Sequence, residues 1–353
     1  MIPVYLAGRG LACALGLDVQ SSLAALRQGG VATSSCSLPG ALGGSFPYYA
    51  IPFPRTDWNE RARNLVLRVA GEAGARQIRS GALFIATSSF DIGGVEQGAA
   101  QMDYAAFSSK VAGWLEWSGP VYVINTACTS SLNALIAAQA QLNAGETEDA
   151  LVLGIEMDNQ LTLGGFASLQ LLSTGSSKPF GADRDGLVLG EAVSALRLSA
   201  HEPAQWRMLG GANVVDGSQP TGASAAAVVS MYQRALEVSG VTADAIDLIK
   251  VQAAGSPGND AVEAQGLRAA FPAMPLLVSL KAAMGHTMGA SGVAEIALLT
   301  ACLEQGAWPK CETEADPELG VTLATAMPDR VRRVLATILG FGGSHASVVL
   351  ERA

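Results

Sequence analysis

Histidine is scarce in this chain: three among 353 residues, at positions 201, 286 and 345. Imidazole chemistry has no other source. The five cysteines, at 13, 36, 128, 302 and 311, are odd in number and form no CxxC pair. That argues against a metal site, and reduced thiols in a cytoplasmic protein are the expectation. Charged residues make up 15% and the net charge is −9, which argues against nucleic acid as a partner. No uninterrupted apolar run reaches the length of a membrane span. The first residues, Met-Ile-Pro-Val-Tyr-Leu-Ala-Gly, have no basic segment before the apolar stretch, so they read as a strand and not a signal peptide. Neither a flexible linker nor a short repeat is visible.

What is present is a chain 49% hydrophobic with 40 scattered glycines, enough for a large core. Apolar runs at 4–7, 82–87, 121–125, 150–155 and 193–198 predict strands, as do 208–214, 248–253, 276–279, 334–338 and 346–350. Between them, 19–26, 62–75, 132–143, 225–239, 261–270 and 290–304 predict helices. The alternation implies an α/β protein with sheets buried on both faces. Two successive sets of five strands suggest duplicated, layered halves. The change from one half to the other is expected near 199–207, giving regions 1–205 and 206–353.

Cys128 lies in Val-Ile-Asn-Thr-Ala-Cys-Thr-Ser-Ser, between a predicted strand and a predicted helix. A helix N-terminus favours thiolate, which would make the sulfur a nucleophile; a buried structural cysteine fits the same segment. His286 sits between glycines in Lys-Ala-Ala-Met-Gly-His-Thr-Met-Gly, and a helix follows. A neutral imidazole there could donate a hydrogen bond to a thioester carbonyl, with Lys281 orienting the site or tuning its charge; a packed helix-start residue is the alternative. Residues 339–347 carry Leu-Gly-Phe-Gly-Gly-Ser-His-Ala-Ser, where Gly340, Gly342 and Gly343 could expose backbone N–H groups to an oxyanion. The apolar stretch 161–173, which contains Phe166, suits a pocket wall. The Asp-Arg-Asp turn at 183–185 that follows it reads equally as a salt-bridged loop.

In order along the chain, these segments resemble the β-ketoacyl-acyl-carrier-protein synthases of fatty-acid and polyketide assembly. The resemblance runs nearly end to end. Its motifs are the opening strand and turn at 6–16, Asn-Thr-Ala-Cys-Thr-Ser-Ser at 125–131, and Pro-Phe-Gly-Ala-Asp-Arg-Asp-Gly-Leu-Val-Leu-Gly-Glu at 179–191. Lys-Ala-Ala-Met-Gly-His at 281–286 and Gly-Phe-Gly-Gly at 340–343 complete the set. The resemblance implies a thiolase fold, layered α/β/α/β/α. Cys128 would take an acyl group from a carrier-protein phosphopantetheine, and decarboxylation of a malonyl thioester would supply the attacking carbanion. The N–H groups of Cys128 and Phe341 would hold the oxyanion, Phe341 would gate the two half-reactions, and Lys281 would support His286. No directly bound cofactor is implied.

Three departures stand out. Where the family places a histidine in Ala-His-Gly-Thr, this chain has Ala254 in Gln-Ala-Ala-Gly-Ser, in a contracted loop. Losing one such donor costs roughly 3–4 kcal/mol in a transition state, so condensation is expected to be impaired. His345 follows Gly-Gly-Ser and could stand in for the missing donor. The chain is also short between 90 and 120, where the family builds pocket lining and dimer surface. Arg55, Arg61, Arg63 and Arg68 form the most basic stretch and would dock an acidic carrier protein. A homodimer or a heterodimer with a second ketosynthase is implied. A non-elongating partner resembling the chain-length factors, shaping the acyl pocket of an active synthase, is the competing expectation. A degradative thiolase is disfavoured because no second cysteine lies near the 340–343 loop.

Overall fold

The computed structural model describes residues 2–38, 43–99, 103–218, 222–311 and 313–353. The strands are β1 (Val4–Cys13), β2 (Ser34–Leu38), β3 (Gly44–Tyr49), β4 (Ala82–Ala86), β5 (Val121–Ile124), β6 (Asp149–Glu156) and β7 (Leu189–Gly190). β8 (Ala192–Ser199), β9 (Trp206–Val215), β10 (Leu248–Lys250), β11 (Leu276–Val278), β12 (Arg333–Leu339) and β13 (Ser344–Arg352) follow. The helices are α1 (Val19–Arg27), α2 (Trp58–Glu72), α3 (Ile92–Glu96), α4 (Tyr104–Leu115) and α5 (Ser130–Ala144). After them come α6 (Gln160–Ser168), α7 (Ala225–Ser239), α8 (Pro257–Ala270), α9 (Lys281–Met284) and α10 (Ser291–Gln305).

Ten strands form one array in the order β11-β10-β12-β13-β9-β1-β8-β6-β4-β5. It divides into two sets with the same internal plan. Numbered along the chain, each set of five lies in the order third, second, fourth, fifth, first. The two first strands, β1 and β9, touch only where Val4 and Tyr5 pair with Met208 and Arg207. The duplication expected from the strand count is therefore real at the level of topology.

The helices sort into layers by their apolar faces. α2 buries Trp58, Ala62, Leu65, Val66 and Val69 against the outer side of the first set. α7 and α8 cover the outer side of the second set through Val228, Met231, Tyr232 and Leu267. α10 is buried on every side from Ser291 to Leu303, as a helix between two sheets must be. It and α5 fill the central layer, touching strands of both sets. That central layer brings the N-termini of α5 and α10 together. Ser131 Oγ of α5 accepts a hydrogen bond from Val293 N of α10 at 3.2 Å.

Candidate active site

Cys128 sits in the turn between β5 and α5, 2% exposed. The turn is locked from several directions. Thr126 N donates to Ser130 Oγ at 2.9 Å, and Ser130 Oγ donates to Ala127 O at 2.6 Å. Ala127 holds φ at +52° without being glycine, a strain that persists only where surrounding contacts enforce it. Thr129 Oγ1 meets Ser344 Oγ at 2.7 Å, tying the turn to the start of β13.

His286 lies opposite. Its Nε2 is 3.0 Å from Cys128 Sγ. Its backbone is clamped, with His286 N donating to Val188 O at 2.8 Å and Gly190 N donating to His286 O at 3.1 Å. Gly285 is required for this approach: φ is +73°, and a Cβ would stand 2.8 Å from the Tyr49 ring and 2.9 Å from Leu189 O. On the far side of the imidazole, Nδ1 is 3.3 Å from Ser291 Oγ. Ser291 Oγ accepts from Lys281 Nζ at 3.1 Å. Lys281 pairs with Glu295 Oε1, whose other oxygen accepts from Lys250 Nζ at 2.6 Å. All five of these side chains are buried.

Electrostatics follow from that burial. Desolvation pushes the Cys128 thiol up to about 11, opposed by Lys281 and by the N–H groups of Phe341 and Cys128, which lie against the sulfur. Burial therefore works against the thiolate that the helix N-terminus was expected to favour. Desolvation, with Lys281 and Lys250 adding to it, holds His286 far below the usual histidine range, so its imidazole is neutral. Burial brings Lys250 down to about 8 against the pull of Glu295. Burial also works against the Glu295 carboxylate, but the two lysines outweigh it and leave the group below its ordinary range. Iodoacetamide alkylation of Cys128, followed by peptide mass spectrometry, is expected to rise about tenfold per pH unit between 7 and 9, since only thiolate attacks. A rate flat across that range would contradict the thiol resting state.

The Gly-Phe-Gly-Gly loop closes the third side. Phe341 N–H lies against the sulfur, and the Phe341 ring stacks on Phe166 of α6 at 5.3 Å and 21°. Gly340 N donates to Ser344 O at 2.8 Å. Gly343, at φ +78°, lies so close to the chain at Asp216 that a Cβ would fall 1.6 Å from its carbonyl oxygen. Gly342 is exposed on the same turn.

Ala254 ends a short segment after β10, its methyl in the central apolar cluster that also contains Cys128. The segment is held by carboxylates of α8. Glu263 accepts from Gln252 N and Ala253 N, both at 2.7 Å, and Asp260 accepts from Ala254 N at 3.1 Å and Gly255 N at 3.0 Å. The backbone cradle is complete, with a methyl group as the side chain it presents.

Two expectations fail here. His345 does not join the cluster. It pairs in register with Leu339 and Val214, which pack in the outer layer beneath α7 and α8. Its neighbours Ser344 and Ala346 face the centre, and side chains alternate along a strand. Arg61 is not a surface residue: it is 3% exposed and grips Glu191 with two bonds, at 2.5 and 2.9 Å, with Asp158 at 3.2 Å. Arg55, Arg63 and Arg68 are exposed. Arg184 pairs with Asp316 at 2.5 Å and Lys178 with Asp183 at 2.6 Å, so the 183–185 turn is a salt-bridged loop. His201 is exposed beside Glu148. Sequence reasoning missed Ser291, Glu295 and Lys250. The signal for Glu295 was an acidic residue inside an otherwise apolar helix, one turn after a serine. Among the described residues no cluster of three or more His, Cys, Asp or Glu side chains could hold a metal, and no helix is long and apolar enough to cross a membrane.

Comparison with known proteins identifies the family and the fold. Residues 69–204 match the N-terminal domain of beta-ketoacyl synthases and residues 208–313 the C-terminal domain. Methylphloroacetophenone synthase of Cladonia uncialis is 36% identical over 213 residues, 56% of this chain, and the chain spans 8% of that relative's length. The chloroplastic 3-oxoacyl-acyl-carrier-protein synthase II of Arabidopsis thaliana is 30% identical over 267 residues, 69% of this chain and 49% of that relative. Among solved structures, a ketosynthase, ApeO, in complex with its chain length factor, ApeC, from Xenorhabdus doucetiae superposes with a TM-score of 0.85 at 23% identity, covering 99% of this chain and 98% of that one. AntDE:AntF, a type II polyketide-synthase acyl-carrier protein in complex with its ketosynthase, gives 0.86 at 18% identity, with 99% of each chain covered. The fold is the thiolase fold, and the chain belongs to the beta-ketoacyl synthase family.

Proposed function

We propose that this chain is an acyl-accepting ketosynthase subunit of a type II fatty-acid or polyketide system, with condensation impaired at Ala254. The observation that carries the reading is the convergence on one sulfur. His286 Nε2 stands 3.0 Å from Cys128 Sγ, and the N–H groups of Cys128 and Phe341 lie against the same atom. An acyl thioester attacked by Cys128 develops negative charge on its carbonyl oxygen. Two backbone donors and a neutral imidazole meet such a charge without reorganisation. As the sulfur forms the new thioester bond, its proton leaves with the departing phosphopantetheine thiol. Phe341, stacked on Phe166, is the gate, and Gly340, Gly342 and Gly343 give its loop the backbone freedom a gate needs. Phosphopantetheine arrives on the carrier protein as part of the substrate. Residues 1–205 supply the nucleophile and residues 206–353 supply His286 and the gate, and the protein works in the cytoplasm.

The second reading is a non-elongating partner of the chain-length-factor kind. What favours it is Ala254: the cradle that would present a histidine presents only a methyl group. Both readings need a second protomer. β5 is an edge strand whose Val121, Val123 and Ile124 are partly exposed, with Tyr122 37% exposed. An uncovered apolar edge suits pairing with another sheet, from a second copy or from a second ketosynthase. Co-expression separates the readings, since only the non-elongating partner depends on an active synthase for its solubility.

Carrier docking falls to the arginines that remain at the surface. Arg63 lines an open cleft of about 210 Å³ with Arg76, Arg79 and Trp114. Arg55 and Arg68 make only peripheral contacts, to Asp158 at 3.2 Å and Asp18 at 4.0 Å. Replacing Arg63 and Arg68 with glutamate is expected to raise KM for acyl-carrier protein about tenfold while leaving kcat unchanged, through loss of charge complementarity. An unchanged KM would remove docking from this face.

A further inference from the structure

The contacts around Ser291 determine where the proton on His286 sits. We propose that Ser291 is a positioning residue that locks His286 in its Nε2–H form by donating its hydroxyl proton to Nδ1. The function of the lock rests on the reading of Cys128 and His286 as the reacting pair.

A serine hydroxyl has one proton to give and two lone pairs to receive. Ser291 Oγ has three polar neighbours: Lys281 Nζ at 3.1 Å, Thr287 Oγ1 at 3.2 Å and His286 Nδ1 at 3.3 Å. The Lys281 ammonium, paired with Glu295, only donates, so it occupies one lone pair. Thr287 is fully buried, and its hydroxyl has no other hydrogen-bond partner among the described residues. If Thr287 donates, the second lone pair of Ser291 is filled. The serine proton then has one destination, Nδ1, and all three contacts are satisfied at once.

The opposite tautomer fails this count. With a proton on Nδ1, that nitrogen donates to Ser291, which must then turn its own proton toward Thr287. The Thr287 hydroxyl proton is left buried without an acceptor, an arrangement folded proteins avoid. The arrangement is therefore directional: Lys281 to Ser291, Ser291 to Nδ1, and Nε2–H into the site at Cys128. The imidazole faces the sulfur as a donor. It can steady a developing thiolate or a substrate carbonyl oxygen, and it does not take the thiol's proton.

The test is the 15N spectrum of histidine-labelled full-length protein, with His286 assigned by its loss in His286→Asn. The expected wild-type spectrum shows an unprotonated, hydrogen-bonded Nδ1 and a protonated Nε2. In Ser291→Ala the Nδ1 signal moves, either toward a free lone pair or toward the protonated position. A wild-type Nδ1 that carries the proton, or an Nδ1 signal unmoved in folded Ser291→Ala, overturns the assignment. Turnover gives a second readout: the step in which His286 donates slows about tenfold, the worth of one ordinary hydrogen bond, with KM for the carrier protein unchanged. The two levels separate cleanly. An Nδ1 shift without any acyl labelling of Cys128 in wild type upholds the lock and rejects the ketosynthase reading. Labelling with an unmoved Nδ1 does the reverse.

Discussion

Replacing Ala254 with histidine raises decarboxylation of malonyl-carrier protein by roughly 10²–10³. The expectation rests on a backbone already built for the side chain. The amides of residues 252–255 are held by Glu263 and Asp260 at 2.7 to 3.1 Å, so a new imidazole would be placed by a rigid cradle. Its contribution is a hydrogen bond to the carbonyl on which enolate charge develops. One preorganised donor of that kind is worth about 3–4 kcal/mol. His345 cannot supply it, because its ring lies in the outer layer with Leu339 and Val214. CO₂ release measured on wild type and Ala254→His settles the matter. A folded variant with the wild-type rate would mean that position 254 does not limit decarboxylation.

Arg61→Ala is the second large effect, and it is one of stability. Removing one partner of a buried pair leaves the other charge uncompensated and costs about 3–5 kcal/mol. Glu191 is fully buried and spends both oxygens on Arg61, while also accepting from Ile51 N at 2.8 Å and Asp158 N at 3.0 Å. Those amides cannot replace a guanidinium. Burial pushes the Glu191 carboxyl up, but Arg61 and the amides more than offset this and hold it below the ordinary range. A lowered carboxylate stabilises the fold above its unfolded-state value and loses that contribution as pH falls through the folded-state value. The gap between Arg61→Ala and wild type therefore narrows in acid. Exposed Arg63→Ala, in contrast, stays within about 0.5 kcal/mol. Urea midpoints at neutral and acid pH measure both, and a loss below about 1 kcal/mol for Arg61→Ala would return that residue to the surface.

Much of this was legible in the chain, because buried strands announce themselves as Val/Ile/Leu runs. All ten strands of the main array fell on predicted segments. The β2–β3 hairpin did not, since Ser-Ser-Cys-Ser-Leu and Gly-Ser-Phe-Pro-Tyr-Tyr carry no apolar run. α4 was missed although Phe107, Val111 and Leu115 repeat at helical spacing behind Asp103, whose side chain accepts from Ala105 N and Ala106 N. Arg61 was legible only in part: Arg63 falls on the opposite helical face from Trp58, Ala62 and Leu65, but Arg68, seven residues after Arg61, shares its face and is exposed, so spacing alone does not single out Arg61 as buried. His345 was not. Its strand alternates, but nothing in the sequence says which face meets the centre. Ser291 and Glu295 stand one turn apart on α10, but Lys250 of β10 and Lys281 of α9 reach them only through tertiary packing, across stretches of chain that no local pattern connects.

The central claim is that Cys128 accepts an acyl group from a carrier protein. Intact-mass spectrometry after mixing the protein with acyl-carrier protein tests it directly. The expected result is a mass increase equal to the acyl group, mapped to Cys128 and absent in Cys128→Ala. Adding malonyl-carrier protein is then expected to give little β-ketoacyl product until Ala254 is replaced by histidine. A protein that stays unlabelled, both alone and with a partner synthase present, would contradict the claim.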